Sequence, residues 1–451
     1  MQTHLVNRLR FDMTCPSDEQ AMRVGADFEH TIQPLLVAAI DRVCSRHVED
    51  HQWVRFDKLT IDLPVFPAGL PPAELLEAQF ETAFETAFLT YLTRLPTETR
   101  AASRESTDLE TVVFFLKTGQ LPWWAVADTT DLEVMVNALI DRLPGAVGAG
   151  LPPVLRHEQS LQRLLYQFTA ATLERLVEHC FPELVAWVTT TLESQPLTAG
   201  FRAQPKSGSG LVSGWPAVYL RLLPYTADEV AMAHVLPAVV AQVFGVSGQP
   251  WPLSKLPEAP QPVAKDSLAN GPVTDYGPTQ AGDDAVEKYL VKSAGIVLLA
   301  PFINDFFREV GWLDNGAFRD EAAQYKALHG LHFLATGQRH PPEYQLTLEK
   351  LLCGLPLDAP VPRVVDLPDA EYGEADTLLA EVVALWKTLK NTSVDGFRAG
   401  FLHRDGILTR LGTNWQLTVE RNTIDVLLDT LPWGFSTAKL PWMPQLLFTQ
   451  W

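Results

Sequence analysis

The chain has 451 residues, more than one hydrophobic core usually organises, so two or three folding units are expected. Apolar residues make up 47% and charged residues 20%, which is a globular rather than a disordered composition. Acidic side chains outnumber basic ones, 54 to 35, for a net charge of −19, and no basic cluster offsets it, so no nucleic-acid partner is expected.

The cysteines Cys15, Cys44, Cys180 and Cys353 stand apart from one another, with no C-x-x-C pair, as free buried thiols of a reducing compartment do. The N-terminal MQTHLVNRLRFD lacks the apolar centre of a signal peptide. The best apolar run, Ala294 to Ile303, is too short to cross a bilayer, so no membrane span is expected and synthesis in the cytoplasm is.

The elements alternate at the start of the chain. Leu5, Leu9, Phe11 and Met13 suit a half-buried strand, and a helical pattern follows from about Glu19 to Arg46. Trp53 to Leu63 reads as strand again, but Val54 and Phe56 share one phase and Leu59, Ile61 and Leu63 the other. A bulge near Asp57 and Lys58 would reconcile them. Pro71 and Pro72 open a helix whose Leu76, Phe80, Phe84, Phe88 and Leu92 form a stripe, read as core packing with a partner-helix groove as the alternative.

Thr107 to Phe244 is helical in pattern, and its clearest helix is Val154 to Cys180 with Leu161, Leu164, Leu165, Phe168, Leu176 and Cys180 inward. Arg202 to Gly214 reads as an exposed loop, and Ser247 to Asp284, rich in Pro, Gly and Ser, as a linker or long mobile loop. Ala285 to Leu351 and Asp376 to Lys390 are helical, the second with Leu379, Val383, Trp386 and Leu389 inward. Ile407 to Glu420 is a hairpin turning at Gly412-Thr413-Asn414, and Leu446 to Trp451 a last short strand. The expected fold class is α+β, mainly α-helical, with short β-strands and hairpins near the N- and C-termini. The expected division is 1–106, 107–246, the 247–284 linker and 285–451. Because isolated ribbons are marginal, the strands of the two chain ends are expected to share a sheet or pack together.

No catalytic constellation emerges. His47 and His51 have the i, i+4 spacing that can hold zinc, but Val48 stands where a zinc protease needs Glu, and a solvated helix end is the preferred reading. His329, His332 and His340 lack an acidic or thiolate ligand to complete a site, so surface or packed histidines are expected. Gly208-Ser209-Gly210 lacks the ending of a phosphate loop, and Asp283-Asp284 lies where nothing would tune its pKa. No catalytic, cofactor-binding or metal-binding residue is therefore assigned. Three Trp segments among prolines are unusual: Leu121-Pro122-Trp123-Trp124, Leu431-Pro432-Trp433 and Leu440-Pro441-Trp442-Met443-Pro444. They suit core anchors first and interface anchors second.

Several segments together resemble the contractile injection system tape-measure protein family. They are Trp53 to Phe66, FFLKTGQLPWWA (Phe114 to Ala125), Ser293 to Phe318, Phe333 to Val361 with its EKLLCGL, and the closing Trp386 to Arg410 and Asp425 to Trp451. The resemblance is weakest through Val126 to Asp284, and Ser293 stands where the family has Asn. It implies a component supporting or setting inner-tube assembly, whose partners are tube subunits and baseplate hub or spike proteins. Effector cargo and a second copy of the chain are further candidates. It implies no enzyme activity, and a location in the cytoplasm during assembly or in the tube lumen afterwards. A chaperone or adaptor loading effectors is the alternative function, and a metal-dependent hydrolase built on His47 and His51 a remote one. From the motifs, Trp123, Trp124, Trp386, Lys390, Asn391, Trp433, Pro441, Trp442 and Pro444 are candidate interaction or core-anchor residues.

A single stretched helix of this length would reach about 680 Å. With 34 prolines the chain cannot form one, and its longest Pro-free helical pattern, Val154 to Phe181, spans only about 42 Å.

Overall fold

The computed structural model describes residues 32–48, 58–64, 72–94, 104–125, 130–194, 214–226, 228–244 and 287–451, with a few isolated positions. The expected strand at Leu5 to Met13 is mostly outside these residues, as are the loop at Arg202 to Gly214 (apart from Gly214) and the linker at Ser247 to Asp284. The chain forms two compact units: residues 1–111 with 123–126, and residues 112–122 with 127–451.

In the first unit the helices Gln33–His47 and Ala73–Arg94 pack through Leu36, Ala39, Ile40, Val43 and Cys44 against Leu76, Phe80, Phe84 and Phe88. The predicted aromatic stripe is thus a core seam: Phe80 stacks on Phe84 at 5.9 Å, and Phe84 on Phe88 at 5.7 Å. Arg42 reaches Glu77 and Glu81, and Arg46 reaches Glu81 and Glu85. Both series rise together, so the helices run parallel. Those two arginines hold the Glu81 carboxyl below its usual range. Val54, Phe56, Leu59, Ile61 and Leu63 all pack against this helix pair, so both sequence phases face the core and the switch falls between Phe56 and Leu59. The described positions in this stretch belong to no strand ladder, unlike the expected strand.

In the second unit the described residues between Leu132 and Phe244 are mostly helical, and those from Lys288 onward are mixed. The single helix expected over Val154 to Cys180 is three. Val154 lies in the last turn of Pro144–Leu155; Glu158–Gln167 and Ala170–Cys180 follow. His157 and Phe168 are extended, and the Thr169 side chain caps the third helix by accepting from the Thr172 N–H. A capping hydroxyl competes with helix continuation, and the apolar period cannot reveal it. The longest described helix is therefore Ala73–Arg94, whose 22 residues span about 33 Å.

The C-terminal part is also less helical than expected. Its strands are β1 (Lys288–Val291), β2 (Leu313–Asp314), β3 (Ala317–Phe318), β4 (Gly406–Leu411), β5 (Asn414–Val419), β6 (Thr437–Ala438) and β7 (Leu447–Gln450). One sheet has the order β1-β4-β5-β7-β6, antiparallel except for β5 with β7. The β4–β5 hairpin forms as predicted, with Gly412 at φ 60° in its tight turn. Among the described residues every strand of this sheet lies between Lys288 and Gln450, and β1 flanks the hairpin on the β4 side. β2 and β3 form a separate ribbon turning at Asn315 and Gly316, both with positive φ.

The helices Ala300–Glu309, Glu321–Thr336, Thr347–Leu352 and Asp369–Leu385 cover the sheet's inner face in one continuous core. Leu379, Val383, Trp386 and Leu389 are all buried in it, as the stripe predicted. The fold is mainly α-helical with a small mixed sheet near the C-terminus.

Candidate functional site

At the centre of the second unit lies a fully buried ion cluster. Arg163, on the helix Glu158–Gln167, places its Nε 3.0 Å from both Glu343 carboxylate oxygens. The Lys350 ammonium donates to Glu343 Oε1 at 2.7 Å and to the Leu357 carbonyl at 3.0 Å. Arg163 spends its remaining fork on the carbonyls of Leu116 at 2.6 Å and Asp358 at 2.5 Å. All three charged side chains have zero exposure. Gln167 extends the network, accepting from the Glu343 N–H at 3.0 Å and donating to the Val361 carbonyl at 2.6 Å. Burial pushes the Lys350 ammonium down from its usual range while Glu343 opposes the shift. A planar guanidinium suits this role, because Nε and both Nη atoms each donate to an oxygen where no water reaches.

Two of the recognised segments converge here. Gly119, in FFLKTGQLPWWA, ends the helix Arg104–Thr118 at φ 74° with its N–H on the Phe115 carbonyl at 2.7 Å. A Cβ at Gly119 would collide with the Glu343 carboxylate, so only glycine fits both the turn and the close approach. Gln120 donates to Thr347 at 2.9 Å, and Thr347 opens the buried helix carrying Lys350. Composition and periodicity assigned none of Arg163, Gln167, Glu343 or Lys350. The available signal was local: Arg163 and Lys350 each sit directly beside leucines of a buried helix face.

The candidate residues divide. Trp386 is fully buried, donates from Nε1 to Thr430 at 2.9 Å and meets Phe401 at 4.9 Å. Trp433, half-buried, donates to the Leu298 carbonyl at 2.9 Å and stands edge-on to Phe302. Trp442, also half-buried, donates to the Leu352 carbonyl at 2.8 Å and stacks on Phe307. In the first unit Trp124 donates to Thr111 at 3.1 Å. Trp123 stands edge-on to it and is 38% exposed. Lys390, at φ 50°, and Asn391, Pro441 and Pro444 are exposed. The structure thus packs Trp124, Trp386, Trp433 and Trp442 inward and leaves Trp123, Lys390, Asn391, Pro441 and Pro444 facing solvent.

Of the candidate histidines His329 and His332 are packed in the core, His47 is partly buried and His340 is exposed. His47 meets Glu85 at 2.5 Å across the helix pair and is three-quarters buried, so it is not a solvated helix end; His51 lies outside the described residues. His329 contacts the Pro362 carbonyl at 2.8 Å and His332 contacts Glu349 at 3.1 Å, both in the core. Among the described residues no three His, Cys, Asp or Glu side chains are placed to hold a metal ion. Burial raises the Cys44 and Cys180 thiols to about 11 and pushes Cys353 well above its ordinary value, so these are not thiolate nucleophiles. Among the described residues no helix is long and apolar enough to cross a membrane.

The chain matches the family described as contractile injection system tape measure protein over residues 3–451. It therefore belongs to that family, and it is a tape-measure protein of a contractile injection system. No curated protein and no solved structure matches it.

Proposed function

We propose that the chain supports inner-tube assembly as a folded protein, through contacts with other particle components, rather than as a chain stretched along the tube. The supporting observation is the Arg163–Glu343–Lys350 cluster, which ties the helix Arg104–Thr118, the helical layer and the C-terminal core together. Pulling these elements apart would strand three buried charges, and such partner loss costs about 3–5 kcal/mol. Helices no longer than 22 residues among the described residues, and frequent prolines, argue the same way.

The exposed motif residues, Trp123, Lys390, Asn391, Pro441 and Pro444, are the contact residues in this reading, and the buried tryptophans hold the surface that presents them. Tube subunits and baseplate hub or spike proteins are the partners, met in the cytoplasm during assembly. No chemical step is assigned to the chain. Affinity capture from assembling cells tests this. The folded chain should retain tube and hub proteins, and Trp123→Ala should weaken that retention without loss of fold. Recovery with free effector cargo alone would point to loading instead.

A further inference from the structure

The ribbon of β2 and β3 closes through Asn315 and Gly316, at φ 51° and 82°, with Asp314 paired to Ala317. Positive φ at both central residues defines a type I′ turn, for which Asn-Gly is a favoured sequence. The same dipeptide carries chemistry of its own. Glycine has no Cβ to shield its backbone nitrogen, so that nitrogen can approach the side-chain amide carbon of the preceding asparagine.

The surroundings leave this pair open to such an attack. Asp314, Asn315, Gly316 and Ala317 are all exposed, and a Cβ at Gly316 would meet nothing within 4 Å. Among the described residues neither the Asn315 side chain nor the Gly316 N–H has a hydrogen-bond partner. Each strand beside the turn is only 2 residues long, and so short a ribbon opens locally at little cost. The other described asparagines differ. Asn137 and Asn304 lie inside helices, and Asn137 donates to the Glu133 carbonyl. Asn414 and Asn422 accept from the Leu446 and Thr423 N–H groups. Asn391 is exposed, but the β-branched Thr392 follows it.

We propose that Asn315 is a site of spontaneous deamidation. Hydroxide takes the Gly316 N–H proton, and the nitrogen forms a bond to Asn315 Cγ. The Cγ–Nδ2 bond breaks, ammonia leaves and a cyclic imide remains. Water then opens the ring at either carbonyl, giving aspartate or its β-linked isomer. Both products place a new carboxylate beside Asp314. The β-linked product also adds a backbone atom to the turn, which then no longer fits the pairing of Asp314 with Ala317. That pairing positions Phe318, whose ring meets Trp442 at 4.9 Å and Phe307 at 5.9 Å. Deamidation at the turn therefore loosens the packing around Trp442.

The proposal does not rest on the role in tube assembly. Peptide mapping by mass spectrometry, on the purified full chain incubated at neutral and mildly alkaline pH, tests it. The peptide carrying Asn315 should gain the mass of an amide-to-acid exchange, faster at the higher pH because hydroxide starts the reaction. Its conversion should outrun that of Asn391 by about tenfold or more. Asn315→Gly keeps a turn sequence suited to positive φ and cannot form the ring. This variant should hold its thermal midpoint through the incubation while the wild type loses part of its own. The pair Asn270-Gly271, outside the described residues, gives a reference in the same digest. An Asn315 peptide that stays intact overturns the proposal, and conversion of Asn270 alone would show that the folded turn protects its amide. Conversion of Asn315 with an unchanged midpoint would keep the site and overturn its effect on Phe318.

Discussion

Arg163 and Glu343 lie 180 positions apart in the sequence and meet 3.0 Å apart with neither side chain exposed. Glu343 is the single carboxylate facing both Arg163 and Lys350, so it is the member the cluster can least lose. Glu343→Gln keeps the shape and removes the charge. It should destabilise the protein by about 3–5 kcal/mol in urea unfolding followed by tryptophan fluorescence. A loss below about 1 kcal/mol would mean that the cluster does not hold these elements together.

Gly119 and Gly311 separate backbone strain from close approach. Both have positive φ, 74° and 76°, but a Cβ at Gly311 meets nothing within 4 Å while one at Gly119 meets Glu343 and Arg163. Gly311→Ala should cost about 1 kcal/mol from conformation alone. Gly119→Ala should cost clearly more, because the cluster must also shift. Equal losses in thermal unfolding would show that the approach at Gly119 is not tight.

The hairpin over Gly406–Val419 was legible in the sequence because alternation and a Gly turn are local signals. The Trp386 stripe was legible for the same reason. The ion cluster was not: a charge beside a leucine on a helix reads as solvated until its partner, far along the chain, is known. β1 was hidden because it is four residues long, with only Val291 fully buried. For the tryptophans, the motifs gave the positions but not the direction. Trp442 and Trp123 each follow a Leu-Pro pair, and only tertiary packing turns the first inward and leaves the second at the surface.

That difference sets the next expectation. Trp386→Ala removes a fully buried indole and its bond to Thr430, and should cost about 3–5 kcal/mol. Trp123→Ala, at a 38% exposed site, should cost about 1 kcal/mol or less while weakening capture of tube proteins. Denaturant midpoints for the two variants, measured side by side, check the order.

Stability should fall on mild acidification. Burial lowers the His329 imidazole from 6.5 to about 4, with His332 and His340 nearby adding to the effect and the Pro362 carbonyl opposing it. The unfolded chain therefore binds the proton first, between those two pH values. His329 contributes no slope above pH 6.5 and costs stability progressively below it, about 3 kcal/mol in all. His329→Gln should flatten the pH dependence of the unfolding free energy between pH 6.5 and 4. An unchanged slope would place the titrating group elsewhere.

Tube length decides between a folded component and a stretched chain. Insertions of increasing size between Ser247 and Asp284 lengthen the chain in the stretch joining the two described parts of the second unit. Electron micrographs of particles from each strain then give the tube-length distribution. If the chain acts folded, the distribution stays where it is while particles continue to assemble. A proportional shift, up to ~3.5 Å per added residue and appearing in whole-ring steps, would contradict this and show that the extended chain itself is the ruler.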